Sequence, residues 1–398
     1  MKKVLILNPY IPTLGGGEKH MVYLCRFIET YFNNNVRIDI MVFNYNTVNV
    51  FDVNYITIED VMKQFNVQLN CTYIKKVDIP LSKNRREKVG NWRRIENAAR
   101  GYDLFVNFTF LSKHRGKAKK NMYVCMFPPQ KVWCNHPKNH IKNSIAKLYN
   151  YLFYGSYNVF IPNSYFTKYW LETYWETNKK NVVIFPPAFF EDDIVNRYNE
   201  NEKKNIILSV GRFFVGSHCK KQLEMVQFFV GHEDVFMDYE YHLAGMVSQD
   251  ESDIDYLNMI KELARESERV FVHENCSYEE LVSLYKQAKI FWHATGYGID
   301  ENAEPEKMEH FGITTVEAMS YGVVPVVINK GGQPEIVDEG KNGFIWNNED
   351  ECIRKTNKLI ADDQMRKKMA LSAVEKAKMF SIEAFYRRNK VVFDELRV

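Results

Sequence analysis

Cysteine is sparse and never paired in this chain of 398 residues. Cys25, Cys71, Cys125, Cys134, Cys219, Cys276 and Cys352 number seven, and no two stand at a zinc or redox spacing. That excludes a disulfide scaffold and points to a reducing compartment. Long apolar runs are lacking as well. The longest uncharged stretch, Leu148 to Thr167, is interrupted by Asn150, Gly155, Ser156, Asn158, Pro162, Asn163 and Ser164, so it does not read as a lipid-spanning helix. After Met1-Lys2-Lys3 only Val4-Leu5-Ile6-Leu7 is apolar, too short for the roughly 7–15 residues of a secretory leader. Repeats and low-complexity tracts are absent, and 19 Gly and 12 Pro exclude a collagen-like chain. What is present is ordinary globular composition, and at about 150 residues per domain it suggests two or three domains.

Charge is divided along the chain. Residues 1–185 hold 27 Lys and Arg against 12 Asp and Glu, whereas the remainder holds 26 against 38. The excess gathers at Lys83-Asn84-Arg85-Arg86-Glu87-Lys88, Arg93-Arg94, Lys113-His114-Arg115-Gly116-Lys117 and Lys119-Lys120. The first half is expected to face an anionic membrane surface or a phosphate-bearing acceptor; mutual attraction between two oppositely charged domains is the alternative. No interleaved basic and aromatic motif accompanies the clusters, so nucleic acid is not an expected partner.

Short runs of consecutive apolar residues alternate with longer amphipathic stretches. The strands expected in the first half are Val4–Leu7, Val36–Phe43, Leu104–Phe108, Met122–Phe127, Val159–Pro162 and Val182–Phe185. In the second half they are Ile206–Val210, Tyr239–Ala244, Val270–His273, Ile290–His293 and Val324–Ile328. Uninterrupted apolar runs suit strands buried on both faces of a parallel sheet. The reading is α/β: two Rossmann-like, doubly wound domains over 1–187 and 188–398, with a boundary near Pro186-Pro187 and a cleft between them. A closing helix over 381–398, capped by Ser381 with Glu383 in its first turn, is free to return to the N-terminal domain.

Open parallel sheets bind ligands beyond the carboxyl ends of their strands, and three loops there carry candidate chemistry. The first runs from Asn8 through Gly15-Gly16-Gly17-Glu18-Lys19-His20. Its glycines allow close backbone approach and the helix near Glu18 offers N–H groups to an anion, but His20 stands where a dinucleotide fingerprint needs its third glycine. The second is Gly211-Arg212 followed by Lys220-Lys221, cations on either side of a loop that can grip a diphosphate. Spacing does not separate Lys220 from Lys221. The third runs Glu309-His310-Phe311-Gly312-Ile313-Thr314-Thr315-Val316-Glu317, with Gly322 closing the helix. Glu309 precedes the helix, Glu317 lies two turns in, and the N–H groups of Gly312, Ile313 and Thr314 can receive phosphate oxygens. No metal site is expected: Asp253-Ile254-Asp255 reads as helix surface, and His136-Pro137-Lys138-Asn139-His140 as loop. The apolar face of Lys138 to Tyr154, carrying Ile141, Ile145, Leu148, Leu152 and Phe153 beside Lys142 and Lys147, is expected to pack on the first sheet rather than lie on a membrane.

These residues, with Asn163-Ser164-x-Phe166-Thr167 and Gly331-Gly332-x-Pro334-Glu335, make the chain resemble the family 4 retaining glycosyltransferases of GT-B fold. The resemblance implies that Arg212 and Lys220 hold the diphosphate of a nucleotide-sugar donor, Glu317 its ribose and Glu309 the transferred sugar. It also implies that Gly16-Gly17 approach the phosphates from the other domain, and that Val272 to Asn275, including His273, and Leu281 flank the base. No cofactor is implied. Retention without an evident nucleophile implies same-face displacement, and the acceptor would be a saccharide or lipid-linked glycan on the cytoplasmic side, at the inner membrane face. Many relatives carry a histidine after the strand that here ends Cys125-Met126-Phe127, and this chain has none there. Two other readings stand: a non-catalytic nucleotide-sugar-binding module, and an NAD-type oxidoreductase, which would need a fuller first-loop fingerprint.

Overall fold

The computed structural model describes residues 1–9, 15–43, 57–77, 79, 83–130, 140–175, 177–189, 197–236 and 238–398. Tyr10 to Leu14 of the first loop, His136, Pro137 and the side chain of His140 lie outside the described residues. The chain divides into two units, residues 1–187 with 385–398, and residues 188–384.

Unit 1 is built on seven parallel strands: β1 (Lys2–Leu7), β2 (Val36–Phe43), β3 (Thr72–Val77), β4 (Leu104–Asn107), β5 (Lys120–Cys125), β6 (Val159–Pro162) and β7 (Lys180–Asn181), in the order β3-β2-β1-β4-β5-β6-β7. Its helices are α1 (Gly16–Tyr31), α2 (Ile58–Phe65), α3 (Arg85–Asn97), α4 (His140–Gly155) and α5 (Tyr165–Tyr174). Val4, Leu5, Ile6 and Leu7 are all buried, which is why their run shows no alternation.

β3 escaped the sequence pattern because it is an edge strand, with Lys75 and Lys76 among its six residues. It is anchored from α1 instead. The buried Glu29 carboxylate accepts from the backbone N–H groups of Asn70 and Cys71 and the hydroxyl of Thr72. The expected strand Val182–Phe185 is not one. Pairing with β6 occurs at Lys180–Asn181, and Val182 and Ile184 only donate singly to Phe160 and Pro162 carbonyls as the chain leads out toward Pro186.

The face of α4 also departs from expectation. Ala146, Phe153 and Tyr154 are buried, but Ile145, Leu148 and Leu152 stand exposed. The sheet side of this helix is carried by Phe153 and Tyr154 among Tyr123, Tyr157, Phe160 and Trp175.

Unit 2 has a six-stranded parallel sheet: β8 (Ile206–Val210), β9 (Glu240–Gly245), β10 (Val270–Glu274), β11 (Ile290–His293), β12 (Val324–Ile328) and β13 (Phe344–Trp346), ordered β10-β9-β8-β11-β12-β13. Between them run α6 (Gln222–Gly231), α7 (Glu233–Phe236), α8 (Glu251–Ala264), α9 (Tyr278–Gln287), α10 (Ile313–Ser320) and α11 (Gln333–Ile336), followed by α12 (Glu349–Ala361) and α13 (Asp363–Ala377). β13, three residues long, is too short to leave a pattern. Trp292 is the centre of the core, against Phe236 and Tyr241, with its indole N–H donated to Thr356 Oγ1 at 2.9 Å.

α14 (Ile382–Leu396) closes unit 1. Ser381 caps it, accepting from the Ala384 N–H at 3.0 Å. Phe393 is buried and packs edge-on against Phe27 and Tyr31 of α1, while the Tyr31 hydroxyl donates to Asp394 at 2.8 Å. Phe393→Ala is therefore expected to destabilise unit 1 by about 3–5 kcal/mol, read from a chemical denaturation curve. An unchanged midpoint would show that α14 contributes nothing to that core.

Candidate active site

In an open parallel sheet the loops diverge where the strand order reverses, leaving a crevice at the carboxyl ends. In unit 2 that point lies between β8 and β11. Arg212 follows β8 through Gly211, His293 ends β11, and Glu309 lies between β11 and α10. The topology alone brings Arg212 toward His293 and Glu309, which follow it by 81 and 97 positions.

Lys220 and Glu309 form an ion pair there. The lysine stem lies against Gly211, where a Cβ would come within 2.7 Å of Lys220 Cγ, so any side chain at 211 would displace the ammonium. Lys221 is turned elsewhere: it occupies a left-handed conformation at the N-cap of α6 and pairs with Glu224 at 2.7 Å. Spacing could not distinguish the two lysines, but the structure gives each a different carboxylate.

Glu309 is met on its other side by His293, whose Nε2 lies 3.4 Å from Glu309 Oε2. Thr295 Oγ1 is 3.3 Å from the same nitrogen. Burial raises the Glu309 carboxyl, but the Lys220 ammonium and the His293 contact overcome it and hold the group well below the usual carboxylate range. It is a carboxylate at any physiological pH. His293 is fully buried and kept neutral by that burial, against the opposing pull of Glu309. With Nε2 facing a carboxylate, the proton sits on Nε2, and Nδ1 has no partner among the described residues. Sequence reading missed this residue, although a polar side chain ending the apolar run Ile290–His293 was a usable signal.

Arg212 is exposed, with its guanidinium 5.4 Å from the Phe214 ring centroid. No carboxylate pairs with it among the described residues, so its charge is available. His218 links the two basic positions to Glu309. Its Nδ1 lies 3.4 Å from the Met308 carbonyl, its ring packs edge-on to His310 at 4.8 Å, and burial together with Lys220 and Arg212 lowers its pKa while Glu309 opposes them.

Gly312 caps α10 at φ +111°, and a Cβ there would fall 2.2 Å from the Gln333 amide nitrogen. Gln333 is buried and accepts from the Thr315 hydroxyl at 2.9 Å. The first helical hydrogen bonds are made by Thr315 and Val316 to the Gly312 carbonyl, so Ile313 and Thr314 lie in the first turn, whose N–H groups have no helical acceptor. Glu317 lies one turn further on and accepts from the Tyr285 hydroxyl at 3.3 Å. Leu281 packs on the cluster of Tyr285, Ala318 and Tyr321 beside it. His273 is engaged in a chain of its own, with Nδ1 2.9 Å from Glu280 and Nε2 2.9 Å from His242, which in turn meets Glu240. Phe311 is buried and packs edge-on to Phe380.

The Asp253-Ile254-Asp255 expectation needs correction. Asp255 is exposed, but Asp253 is buried and accepts from the Val215 N–H and the Ser248 hydroxyl. It fixes the loop after Arg212 rather than facing solvent. No group of metal-ligating residues occurs among the described residues.

In unit 1, α1 begins at Gly16, and the Glu18 carboxylate accepts from the Gly15 N–H at 3.0 Å. Part of the helix terminus expected to hold an anion is thus satisfied internally. A Cβ on Gly17 would sit 3.3 Å from Met126 Sδ; Met126 is partly exposed and Cys125 fully buried. The Thr167 hydroxyl ties to the Met126 carbonyl at 3.1 Å, and Ser164 caps α5. His20, in place of a third glycine, is core: it packs against Phe108 and Phe385, and burial lowers its pKa to about 3.

With this geometry in hand, the chain can be set beside known proteins. Residues 190–376 match the family described as glycosyl transferases group 1. A D-inositol 3-phosphate glycosyltransferase of Corynebacterium jeikeium is 32% identical over 30% of this chain and 26% of its own length. The sulfoquinovosyl transferase of Arabidopsis thaliana is 26% identical over 34% and 29%. The chain thus spans little more than a quarter of these relatives' length. Solved structures match throughout: a glycosyltransferase from Rickettsia africae has a TM-score of 0.68 at 18% identity, covering 99% of this chain and 98% of its own. Anabaena HepE, solved with UDP and glucose, has 0.68 at 14% over 99% and 100%. The fold is GT-B.

Burial lowers the pKa of His218, His293 and His310 alike. Below about pH 6.5 an unfolded histidine takes up a proton that its buried counterpart refuses. Stability of unit 2 is present above that pH and falls on acidification, by up to about 1.4 kcal/mol per pH unit for each histidine. The urea midpoint should drop between pH 7 and pH 5, and less steeply in His293→Asn. A flat midpoint in the wild type would show that these rings titrate normally.

Proposed function

We propose that the protein is a retaining glycosyltransferase that moves a sugar from a nucleotide-diphosphate donor to a saccharide or lipid-linked acceptor in surface glycan assembly, without a metal. The observation that carries this reading is the Lys220–Glu309 pair at the switch point of the C-terminal sheet, beside Arg212 and the first turn of α10.

Cleaving a sugar–diphosphate bond develops positive charge on the anomeric carbon and negative charge on the leaving phosphate. A carboxylate and an ammonium held side by side match that separation of charge. Lys220, Arg212 and the N–H groups at the start of α10 would stabilise the phosphate, and Glu309 the sugar. Glu317, tethered by Tyr285, would receive the ribose hydroxyls, with Leu281 and His273 toward the base. Gly16 and Gly17 are assigned to the donor phosphates and Lys220, rather than Lys221, to the diphosphate, since Lys221 is already paired. Under same-face displacement a leaving phosphate oxygen takes the acceptor's proton, so no enzymic base is required. UDP and glucose in the Anabaena structure support a nucleotide-sugar donor.

No helix among the described residues is long and apolar enough to cross a membrane. The proposed setting is the cytoplasmic side of a membrane, with the basic half of the chain toward the anionic surface.

A thermal-shift panel of UDP, GDP, ADP and dTDP should show one nucleotide raising the melting temperature; saturation at a hundredfold over Kd corresponds to about 2.7 kcal/mol. Lys220→Ala should abolish that shift and Lys221→Ala preserve it. Arg212→Ala and Glu309→Ala should each lower transfer by roughly 10²–10³-fold. Wild-type turnover in either variant would remove that residue from the site, and no response to any nucleotide would defeat the reading.

A further inference from the structure

α4 contains two lysines, no acidic residue, and an apolar stripe that no described residue of unit 1 buries. Ile145 is 63% exposed, Leu148 58%, Tyr151 75% and Leu152 42%. At 100° per residue Ile145, Leu148 and Leu152 fall within about 60° of one another, with Tyr151 at their margin. Four large apolar side chains on one helix face form a contiguous patch of the kind that marks an interaction site.

The surroundings of this stripe are cationic. Tyr149, next to Ile145 around the helix, lies under the Arg115 guanidinium at 5.8 Å and donates its hydroxyl to the Lys113 carbonyl at 2.8 Å. Arg115 in turn holds Glu96 of α3 through a 3.0 Å ion pair, and Trp92 of α3 stacks on His114 at 4.1 Å. The loop over residues 112–117 therefore joins α3 to α4. On α3, Arg86, Lys88, Arg93 and Arg94 are exposed, and Val89 beside them is exposed as well. None of these four cations, nor Lys147 of α4, makes an ion pair among the described residues. Glu96, one of two acids on α3, is buried and neutralised by Arg115 and Lys117.

We propose that the exposed stripe of α4 inserts into the headgroup–acyl boundary of an anionic membrane, with the cations of α3 and Lys147 on the surrounding phosphates. It rests on the reading that the basic half faces an anionic surface, and is independent of sugar transfer. Charge selects the occupant. A second copy of unit 1 would bring the same unpaired cations together, and a neutral protein groove would leave them unused, whereas anionic lipid satisfies stripe and cations at once. Insertion adds something that surface charge alone does not: a component of binding that salt fails to screen.

The test is co-sedimentation of the full chain with vesicles of phosphatidylcholine alone or mixed with phosphatidylglycerol, at low and high salt. Wild type should bind the mixed vesicles, weaken in high salt without losing all binding, and bind neutral vesicles at least about tenfold more weakly. The triple variant Ile145→Ser, Leu148→Ser, Leu152→Ser should lose at least about tenfold in affinity at both salts. Its near-ultraviolet circular dichroism and nucleotide thermal shift should match wild type. Arg86→Glu with Arg93→Glu should weaken binding mainly at low salt. Unaltered vesicle binding by the triple variant, or absence of wild-type binding to anionic vesicles at low salt, overturns the proposal. So does a solution dimer that the triple variant dissociates. Loss of the nucleotide response with vesicle binding intact would strike the transfer reading alone.

Discussion

A carboxylate and an ammonium in contact, at the point where a parallel sheet reverses its strand order, are the feature on which the site depends. Burial alone would disfavour the carboxylate there. Desolvation opposes ionised Glu309, and only Lys220 and His293 make the carboxylate the stable form. Everything adjoining serves to keep that contact in place. Gly211 leaves room for the lysine stem, Gly312 makes way for the Gln333 amide, and Asp253 pins the loop that begins at Arg212. The strands supply rigidity and the loops supply chemistry, the division of labour usual in open α/β sheets.

The paired charges also explain why two neighbouring lysines are not equivalent. Lys221 takes a left-handed backbone conformation and spends its charge on Glu224 within its own helix. Lys220, one residue earlier, crosses the loop.

Much of this architecture was readable from residue order alone. Buried parallel strands announce themselves by nearly continuous apolar runs, which is why β6, β8, β11 and β12 lie where the runs lie; β2 was legible despite Arg37 and Asp39 because Ile38, Ile40, Met41 and Val42 are buried. β3 was not readable, because an edge strand held by Glu29 needs no apolar pattern of its own. Within the site, Arg212, Glu309 and Glu317 stood out by loop position and spacing, whereas His293 was concealed inside a strand as its terminal residue. α4 misled for a different reason. Its helical periodicity showed apolar residues on one side, but periodicity does not say which neighbour covers them. Phe153 and Tyr154 provide the covered side. Asp253 shows the converse: its acidic context suggested solvent, but its carboxylate is the acceptor that a loop N–H required.

Residues 385–398 complete unit 1 although all of residues 188–384 intervene. On the ribosome, the α1 surface carrying Phe27 and Tyr31 is therefore made long before the Phe393 that covers it. Unit 1 must wait with an apolar seam open while an entire second unit is synthesised and folds. A nascent chain in that state is a natural client for chaperones, and slow translation through the 188–384 segment would lengthen its exposure.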